Sequence, residues 1–335
     1  MASPDNLAEQ IKALALQAGF DAVGIAAAGP VAPQQAATLN QWLAAGCCGE
    51  MSYMRRNLDK RLCPQKLVEG TASVICLAAR CGAAGEREEP VAAFARGKDY
   101  HKFLKKKCIA LMDRIRVDQP QFVGRAFVDS APVMERSLAA ASGLGWVGRN
   151  GCLFVPGAGS FVLLCEILCN LSLAADSPLR AGCDGCDACI RACPTGAISP
   201  RGWVDARRCI SYHTIENRGR VPAELWEKFG VRLFGCDACQ RACPHNRGLP
   251  APVGGMFEQA AAPLDLAEVL AWTPENWDRR TRGSALRRAG YEMFLRNAVI
   301  AAGNSGRGEL AALLGKLESR DDLGPLVRWA IDRLR

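Results

Sequence analysis

Between Asp176 and Pro250 the chain carries eight cysteines in two proline-terminated modules, and this constrains the fold more than any other feature. The first reads Cys183-x2-Cys186-x2-Cys189-x3-Cys193-Pro194. The second reads Cys236-x2-Cys239-x3-Cys243-Pro244, and Cys209 stands between them. Glycine, proline and cysteine dominate, with little apolar periodicity, so this segment cannot build a conventional core and something else must hold it together. Three cysteines two residues apart let one tight loop wrap three corners of a cubane cluster, while the fourth, before proline, is directed to the other cluster. The second module lacks one loop cysteine, and Cys209 is available to fill the gap. The expected ligand sets are therefore Cys183, Cys186, Cys189 and Cys243 for one [4Fe-4S] cluster, and Cys193, Cys209, Cys236 and Cys239 for the other. A pair of structural zinc sites is the alternative, but zinc ribbons rarely carry the third cysteine and the Cys-Pro ending.

The chain has 335 residues, 17 of them cysteine, so nine cysteines lie outside the two sets. Most of the nine sit in apolar company, as in Val74-Ile75-Cys76-Leu77, where a free thiol behaves as a small hydrophobe. The total is odd and the spacing irregular, unlike a secreted disulfide scaffold. Met1–Gln17 is polar and does not read as a signal peptide, and the apolar run Ser160–Ala175 is broken by Glu166 and Asn170. A reducing cytoplasm and no membrane association are expected. A hydrophobic fraction of 49% and a charged fraction of 23% exclude disordered and collagen-like readings. The net charge of +8 is compatible with a polyanionic partner without requiring one.

The pattern along the chain predicts three parts: an α/β domain over 1–175, the cysteine-rich domain over 176–250, and a helical tail over 251–335. In the first, Ser3 and Pro4 open a helix that Gly19 ends. Strands are expected at Phe20–Ala26, Ser73–Ala79, Gln121–Val128 and Ser160–Leu168, separated by helices at Asp99–Val117 and Pro132–Ser142. In the tail, helices are expected at Leu264–Trp272, Ser284–Ala302, Gly308–Leu317 and Leu323–Leu334, the last two resembling short stacked hairpins.

Clusters move electrons but name no substrate, so the first domain must supply the chemistry. It has no GxGxxG after a strand, and Gly145-Trp146-Val147-Gly148-Arg149-Asn150 lacks a P-loop ending. The segment Phe127-Val128-Asp129-Ser130-Ala131-Pro132-Val133-Met134-Glu135-Arg136 puts an acid at the end of a strand and just before a helix. On local sequence Asp129 reads first as a helix N-cap and second as a site residue.

The ensemble resembles the epoxyqueuosine reductase family, cobalamin-dependent iron–sulfur enzymes that make queuosine in tRNA. The resemblance runs along nearly the whole chain. It rests on Gly49-Glu50-Met51-Ser52-Tyr53-Met54, Ala95-Arg96-Gly97-Lys98-Asp99-Tyr100-His101, the Asp129 segment, Gly143 through Asn150, the eight cysteines, Cys209-Ile210-Ser211-Tyr212-His213-Thr214-Ile215-Glu216, and Leu286 through Ala298. It implies a multidomain α+β and α/β chain: a cobalamin domain related to those of reductive dehalogenases, a two-cluster ferredoxin-like domain, and a HEAT-like helical tail. It further implies that Asp129 is the proton donor and that Asp129, Tyr100, Arg136, Ser160 and Ser211 contact cobalamin. Three positions depart from the family: Cys63 before Pro64 in place of Asp, Arg149 in place of the commoner Lys, and Cys165 where Gly is frequent.

The implied reaction removes an epoxide oxygen and leaves an alkene, a two-electron, two-proton reduction with loss of water. Cobalt reduced to Co(I) can store the electrons, and an acid must protonate the opening oxygen. Such a donor works near neutrality when its pKa is raised, which burial against the corrin would do for Asp129. His101, His213 and His245 lack the motif of a cobalamin-ligating histidine and read as ordinary polar contacts. Expected partners are epoxyqueuosine-bearing tRNA and an unidentified electron donor, with the chain a monomer. Two basic runs are candidate RNA contacts: Lys102, Lys105, Lys106 and Lys107, and Arg279, Arg280, Arg282, Arg287, Arg288 and Arg296 in the tail. A cytoplasmic reductive dehalogenase is the rival reading.

Overall fold

The computed structural model of the chain describes residues 4–82, 89–249 and 264–335. The expected Ser3 cap and the expected start of the tail, 251–263, lie outside them. Among the described residues of the first part there are six strands: β1 (Ala22–Ala27), β2 (Ser73–Arg80), β3 (Gly124–Phe127), β4 (Trp146–Val147), β5 (Leu153–Phe154) and β6 (Val162–Cys169). The four longer ones form a sheet in the order β1-β2-β6-β3, and every pairing is antiparallel. Strands and helices do alternate along the chain as expected. The helices, however, are not crossovers between parallel neighbours, so the α/β reading resolves into mixed α and β built on an antiparallel sheet. The two-residue strands β4 and β5 form a separate hairpin that was too short to leave a period in the sequence.

Period-2 alternation divides the sheet between two cores. Ile75 and Leu77 of β2 and Cys165, Ile167 and Cys169 of β6 face helices Pro4–Gln17 and Tyr100–Asp118, which contribute Ile11, Leu104, Leu111 and Ile115. Val74, Cys76 and Ala78 of β2 and Leu168 of β6 face the Glu135–Ala141 helix through Leu138 and Ala139. Burial on both faces is why β2 reads as an unbroken apolar run rather than an alternating one. Each fully buried Ile or Leu here contributes about 1.5–3 kcal/mol relative to exposure.

The cysteine-rich segment has only short helices, such as Ala188–Ala192, Ile210–Ile215 and Ala238–Arg241. It is tied to both flanks by hydrogen bonds. Trp42 Nε1 donates to the Val204 carbonyl at 2.8 Å, and the Glu50 amide donates to Tyr212 Oη at 2.8 Å. Gly49 makes the second contact possible: at φ 55°, an added Cβ would lie 2.6 Å from that hydroxyl. The tail grips from the other side. Its central helix, Tyr291–Asn304, is buried from Met293 to Gly303 and packs against the Gly324–Leu334 helix. A helix at Pro274–Thr281 was not anticipated, although Thr273 and Asn276 form a capping box there.

Arg296 and Asn297 are buried in that central helix. Arg296 donates to the carbonyls of His213, Asn217 and Gly219. Asn297 Nδ2 donates to the Thr214 carbonyl at 3.1 Å and the Leu233 carbonyl at 2.9 Å. The expectation that Arg296 contacts RNA is therefore corrected: its guanidinium closes irregular backbone inside the protein. Asn297→Ala would orphan two buried carbonyls beside Cys209 and Cys236, at about 1–3 kcal/mol each. We expect a lowered urea midpoint with an unchanged m-value; an unmoved midpoint would contradict this role.

Candidate functional site

Asp129 lies just past the end of β3 with φ 44°, a left-handed conformation that a non-glycine residue adopts only when its surroundings impose it. Its backbone N–H donates to Glu135 Oε1 at 2.8 Å, which holds the turn. The N-cap expectation fails: the following helix starts at Glu135 with Met134 as its cap and no side-chain capping bond. The Asp129 carboxylate instead accepts from Tyr100 Oη at 2.8 Å, with His101 Nε2 at 3.8 Å from the same oxygen. Both donors come from the first turn of the Tyr100–Asp118 helix. Asp99 is the N-cap of that helix, accepting from the His101 amide and contacting His101 Nδ1 at 2.8 Å. The His101 ring stacks on Tyr100 with centroids 4.0 Å apart.

These contacts set the protonation states. Burial lowers the His101 pKa, but the nearby carboxylates of Asp129 and Asp99 outweigh it and hold the imidazole above its ordinary value. For Asp129, the partial burial pushes up, and the nearby His101, the hydrogen bond from Tyr100 and the charge of Arg288 outweigh it; its pKa is held below the usual carboxylate value. The expectation of a raised Asp129 is thus corrected for the chain alone: donors that prefer the carboxylate win over desolvation while the side chain remains 59% exposed. The raised acid is its neighbour Glu135, pushed up to about 7 by burial and then by the Asp129 charge.

The surroundings of the exposed Asp129 carboxylate, called the bowl below, were largely missed at the level of sequence. Tyr53, from the Gly49–Met54 motif, feels the charges of Glu216, Arg288 and Asp129 together. Arg288 pairs with Glu216 at 2.7 Å, which turns a tail arginine toward the site rather than along an RNA track. Arg287 and Arg282 are both paired with Asp278, and Arg280 lies 3.7 Å from Glu268. In the lysine run, Lys107 donates to the Gly19 carbonyl at 2.6 Å and sits over the Phe20 ring. Arg280, Arg282, Arg287 and Arg288 of the tail run thus each have an acidic partner within the protein. The signal for His101 was present, since Asp-Tyr-His at a helix start points two polar rings one way.

Of the expected cofactor contacts, the structure brings Asp129 and Tyr100 together, and Arg136, whose charge acts on Glu135, donates to the Gly151 carbonyl. Ser160 is elsewhere: buried, with its hydroxyl between Gln240 and Asn246. Ser211 lies in the helix that begins at Ile210, directly after Cys209. Cys183, Cys186, Cys189 and Cys243 line one small pocket with Asn150, Phe154 and His245. Cys193, Cys209, Cys236 and Cys239 lie within electrostatic range of one another. Cys152, read as a bland core thiol, lies against Cys239. Arg136, Gly151 and Cys152 thus form a short physical link from the bowl to the second cysteine set.

Both groupings fit the groups expected of them. Among the described residues no three Cys, His, Asp or Glu converge tightly enough for a single metal ion. A cubane holds its thiolates at separate corners, and four thiols around a cavity suit that better than one zinc ion. The bowl presents an open carboxylate on a strained turn, and at its edge the buried Arg61 Nε has no hydrogen-bond partner, a donor available to a corrin amide. Among the described residues no helix is long and apolar enough to cross a membrane.

Comparison with known proteins agrees with this geometry. Residues 61–130 match the family described as epoxyqueuosine reductase QueG, DUF1730, and residues 182–246 match the 4Fe-4S double cluster binding domain. An epoxyqueuosine reductase of Xanthomonas campestris pv. campestris is 40% identical, with 98% of this chain and 96% of that protein covered. The Escherichia coli enzyme is 39% identical, covering 98% of this chain and 89% of its own. A crystal structure of an epoxyqueuosine reductase with an epoxyqueuosine-modified tRNA-Tyr stem loop superposes with a TM-score of 0.89 at 26% identity, over 98% of this chain and 90% of that one. A Bacillus subtilis epoxyqueuosine reductase, described with its catalytic loop swung out of the active site, superposes with a TM-score of 0.88 at 25% identity and the same coverage. On this full-length similarity, the chain belongs to the epoxyqueuosine reductase family.

Proposed function

We propose that Asp129 is the proton donor of an epoxide reduction whose electrons arrive through the two cysteine sets. As a member of its family the chain reduces epoxyqueuosine to queuosine in tRNA, with two [4Fe-4S] clusters and cobalamin as cofactors. The single observation that carries the proton assignment is the Asp129 carboxylate on a left-handed turn, exposed to the bowl and held from behind by Tyr100 and His101.

Cobalamin, when bound in the bowl, supplies a cobalt nucleophile able to store two electrons. Tyr100 and His101 orient the Asp129 carboxyl. His101, its pKa raised, holds a proton near neutrality beside the ionised Asp129 and is the source from which Asp129 is reprotonated. Corrin over the bowl would remove water from Asp129, weaken its preference for the ionised form and favour transfer of the proton to the opening epoxide oxygen. Arg136 fixes the Gly151 loop that leads to Cys152 and Cys239. Arg61, Arg136 and Ser211 are the proposed cofactor contacts; Ser160 would act only through Gln240 and Asn246.

We assign one cluster to Cys183, Cys186, Cys189 and Cys243 and the other to Cys193, Cys209, Cys236 and Cys239. The parts 1–175, 176–250 and 251–335 are read as cobalamin domain, ferredoxin-like domain and HEAT-like tail. The chain is proposed to act as a cytoplasmic monomer with a one-electron donor. By analogy with the swung-out loop of the Bacillus subtilis relative, the Asp129 turn is proposed to open and close. The full-length match to epoxyqueuosine reductases favours the tRNA-modifying reading over the dehalogenase reading.

Asp129→Asn is expected to keep iron and corrin content while the rate on epoxyqueuosine-bearing tRNA falls by about 10²–10⁴, the usual cost of losing a general acid. Turnover near that of the parent chain, in a folded and loaded variant, would remove Asp129 from this role. Cys209→Ala is expected to lose one cluster and leave the other, read as iron per chain falling by half. Full iron content with an unchanged absorption spectrum would show the ligand set to be misassigned.

A further inference from the structure

Asn150 closes the glycine-rich stretch 143–150 and has no part in the reaction described above. It stands at the tip of the β4–β5 hairpin, where Trp146 pairs with Phe154 and Val147 with Leu153. The Gly148 amide donates to the Cys152 carbonyl at 2.9 Å, and the Gly151 amide donates to the Gly148 carbonyl at 2.9 Å. Arg136, from the Glu135–Ala141 helix, pins this tip by donating to the Gly151 carbonyl. The Asn150 side chain folds back over the tip, and its Oδ1 accepts from the Cys152 amide at 3.1 Å. Gly148 makes room for it, since an added Cβ there would lie 3.2 Å from that Oδ1 and 2.5 Å from the Phe154 ring.

With Oδ1 committed to a backbone N–H, Nδ2 is the donor end that remains. Asn150 is 7% exposed, and its Nδ2 is buried without a hydrogen-bond partner among the described residues. A buried amide left without an acceptor is rare in a native protein. Asn150 also lines the small pocket of Cys183, Cys186, Cys189 and Cys243. A cluster held by these cysteines, the first cluster, brings sulfur acceptors into that pocket: the thiolates and the bridging sulfides. We propose that Asn150 donates a hydrogen bond from Nδ2 to a sulfur of the first cluster and thereby makes that cluster easier to reduce. This inference rests on the assignment of those four cysteines to one [4Fe-4S] cluster.

The direction of the effect follows from charge. Reduction adds one electron to the cluster, supplied by the one-electron donor, and moves no proton. The cluster gains one negative charge, so an N–H donor at its sulfur binds the reduced form more tightly than the oxidised one. Hydrogen bonds to the sulfurs are among the features that set iron–sulfur potentials. Asn150 is neutral and is not a ligand; it acts as a fixed dipole. The hairpin that carries it is tied through Arg136 to the helix that supplies Glu135 to the Asp129 turn.

Redox titration of the cluster- and cobalamin-loaded chain, followed by electron paramagnetic resonance, reads this bond. The signal that Cys186→Ala removes identifies the first cluster. Asn150→Leu is expected to disfavour reduction of that cluster about tenfold, the loss of one hydrogen bond to a charged group, which is about 59 mV toward more negative potential for a one-electron couple. The second cluster should keep its potential. In the parent chain carrying asparagine isotopically labelled at the side-chain amide nitrogen, the reduced first cluster should show a coupling to the labelled nitrogen in pulsed spectra, absent in Asn150→Leu. A side chain that served only to close the hairpin would give no such coupling. The labelled parent also decides the matter if Asn150→Leu fails to fold or to load. The parent's potential in a folded, loaded Asn150→Leu protein, or no coupling in the labelled parent, would overturn the proposal. A chain inactive on epoxyqueuosine-bearing tRNA but showing both the shift and the coupling would contradict the proposed function and leave the hydrogen bond standing.

Discussion

The backbone around the cysteines bonds to itself only in short turns, and several carbonyls left over are closed by side chains borrowed from elsewhere. Arg296 and Asn297, side by side on one buried helix, take up the carbonyls of His213, Thr214, Asn217, Gly219 and Leu233. These are the segments that present Cys209 and Cys236. A loop-rich segment with little apolar surface cannot hold thiols in place by hydrophobic burial, so hydrogen bonds from a rigid helix must do it. The tail is accordingly part of the cysteine-bearing architecture, and one continuous core runs from the first helix through to the last.

The same logic of imposed geometry applies at Asp129. Its turn is strained, its carboxyl is exposed, and the groups touching it come from two helices: Tyr100 and His101 from the start of one, Glu135 from the next. The sheet beneath contributes Glu166. Four ionisable groups of like or titratable charge in one small volume cannot all adopt their solution states, so their protonation is divided unequally among them. Asp129 stays ionised beside a raised His101, while Glu135 and Glu166 are pushed the other way. Unequal division of protons among neighbouring acids is what a proton-delivering site requires.

Much of this was legible in the residues, and the misses have physical causes. The strands at 73–79 and 160–168 and the helix from Asp99 announced themselves through composition and capping, and the observed elements differ by a residue or two. The cysteine spacing grouped thiols that the fold does bring together. Asp129 was visible as an acid after a strand, but its local sequence suited a cap equally well, and only the contacts with Tyr100 and His101, nearly thirty residues away, decide between them. The tail arginines misled for a related reason. Asp278 stands one residue before the arginine run and Glu216 is 72 residues from Arg288, so a count of acids within residues 279–296 missed partners that the fold supplies. Arg296 looked like surface because arginine usually is, and its burial depends on carbonyls some eighty residues upstream. Glu166 was noted only as a break in an apolar run.

The central claim is that Asp129 delivers a proton that His101 keeps available, and the pH dependence of a single turnover tests it most directly. The loaded, pre-reduced chain would be mixed with epoxyqueuosine-bearing tRNA across a pH series, in parallel with His101→Gln. A histidine whose pKa is raised in the folded chain keeps its proton below that raised value and loses it above. The parent rate should therefore fall as the pH rises through the histidine's elevated pKa, and His101→Gln should lose that alkaline limb while retaining both clusters and cobalamin. The same alkaline limb in His101→Gln as in the parent would contradict the account.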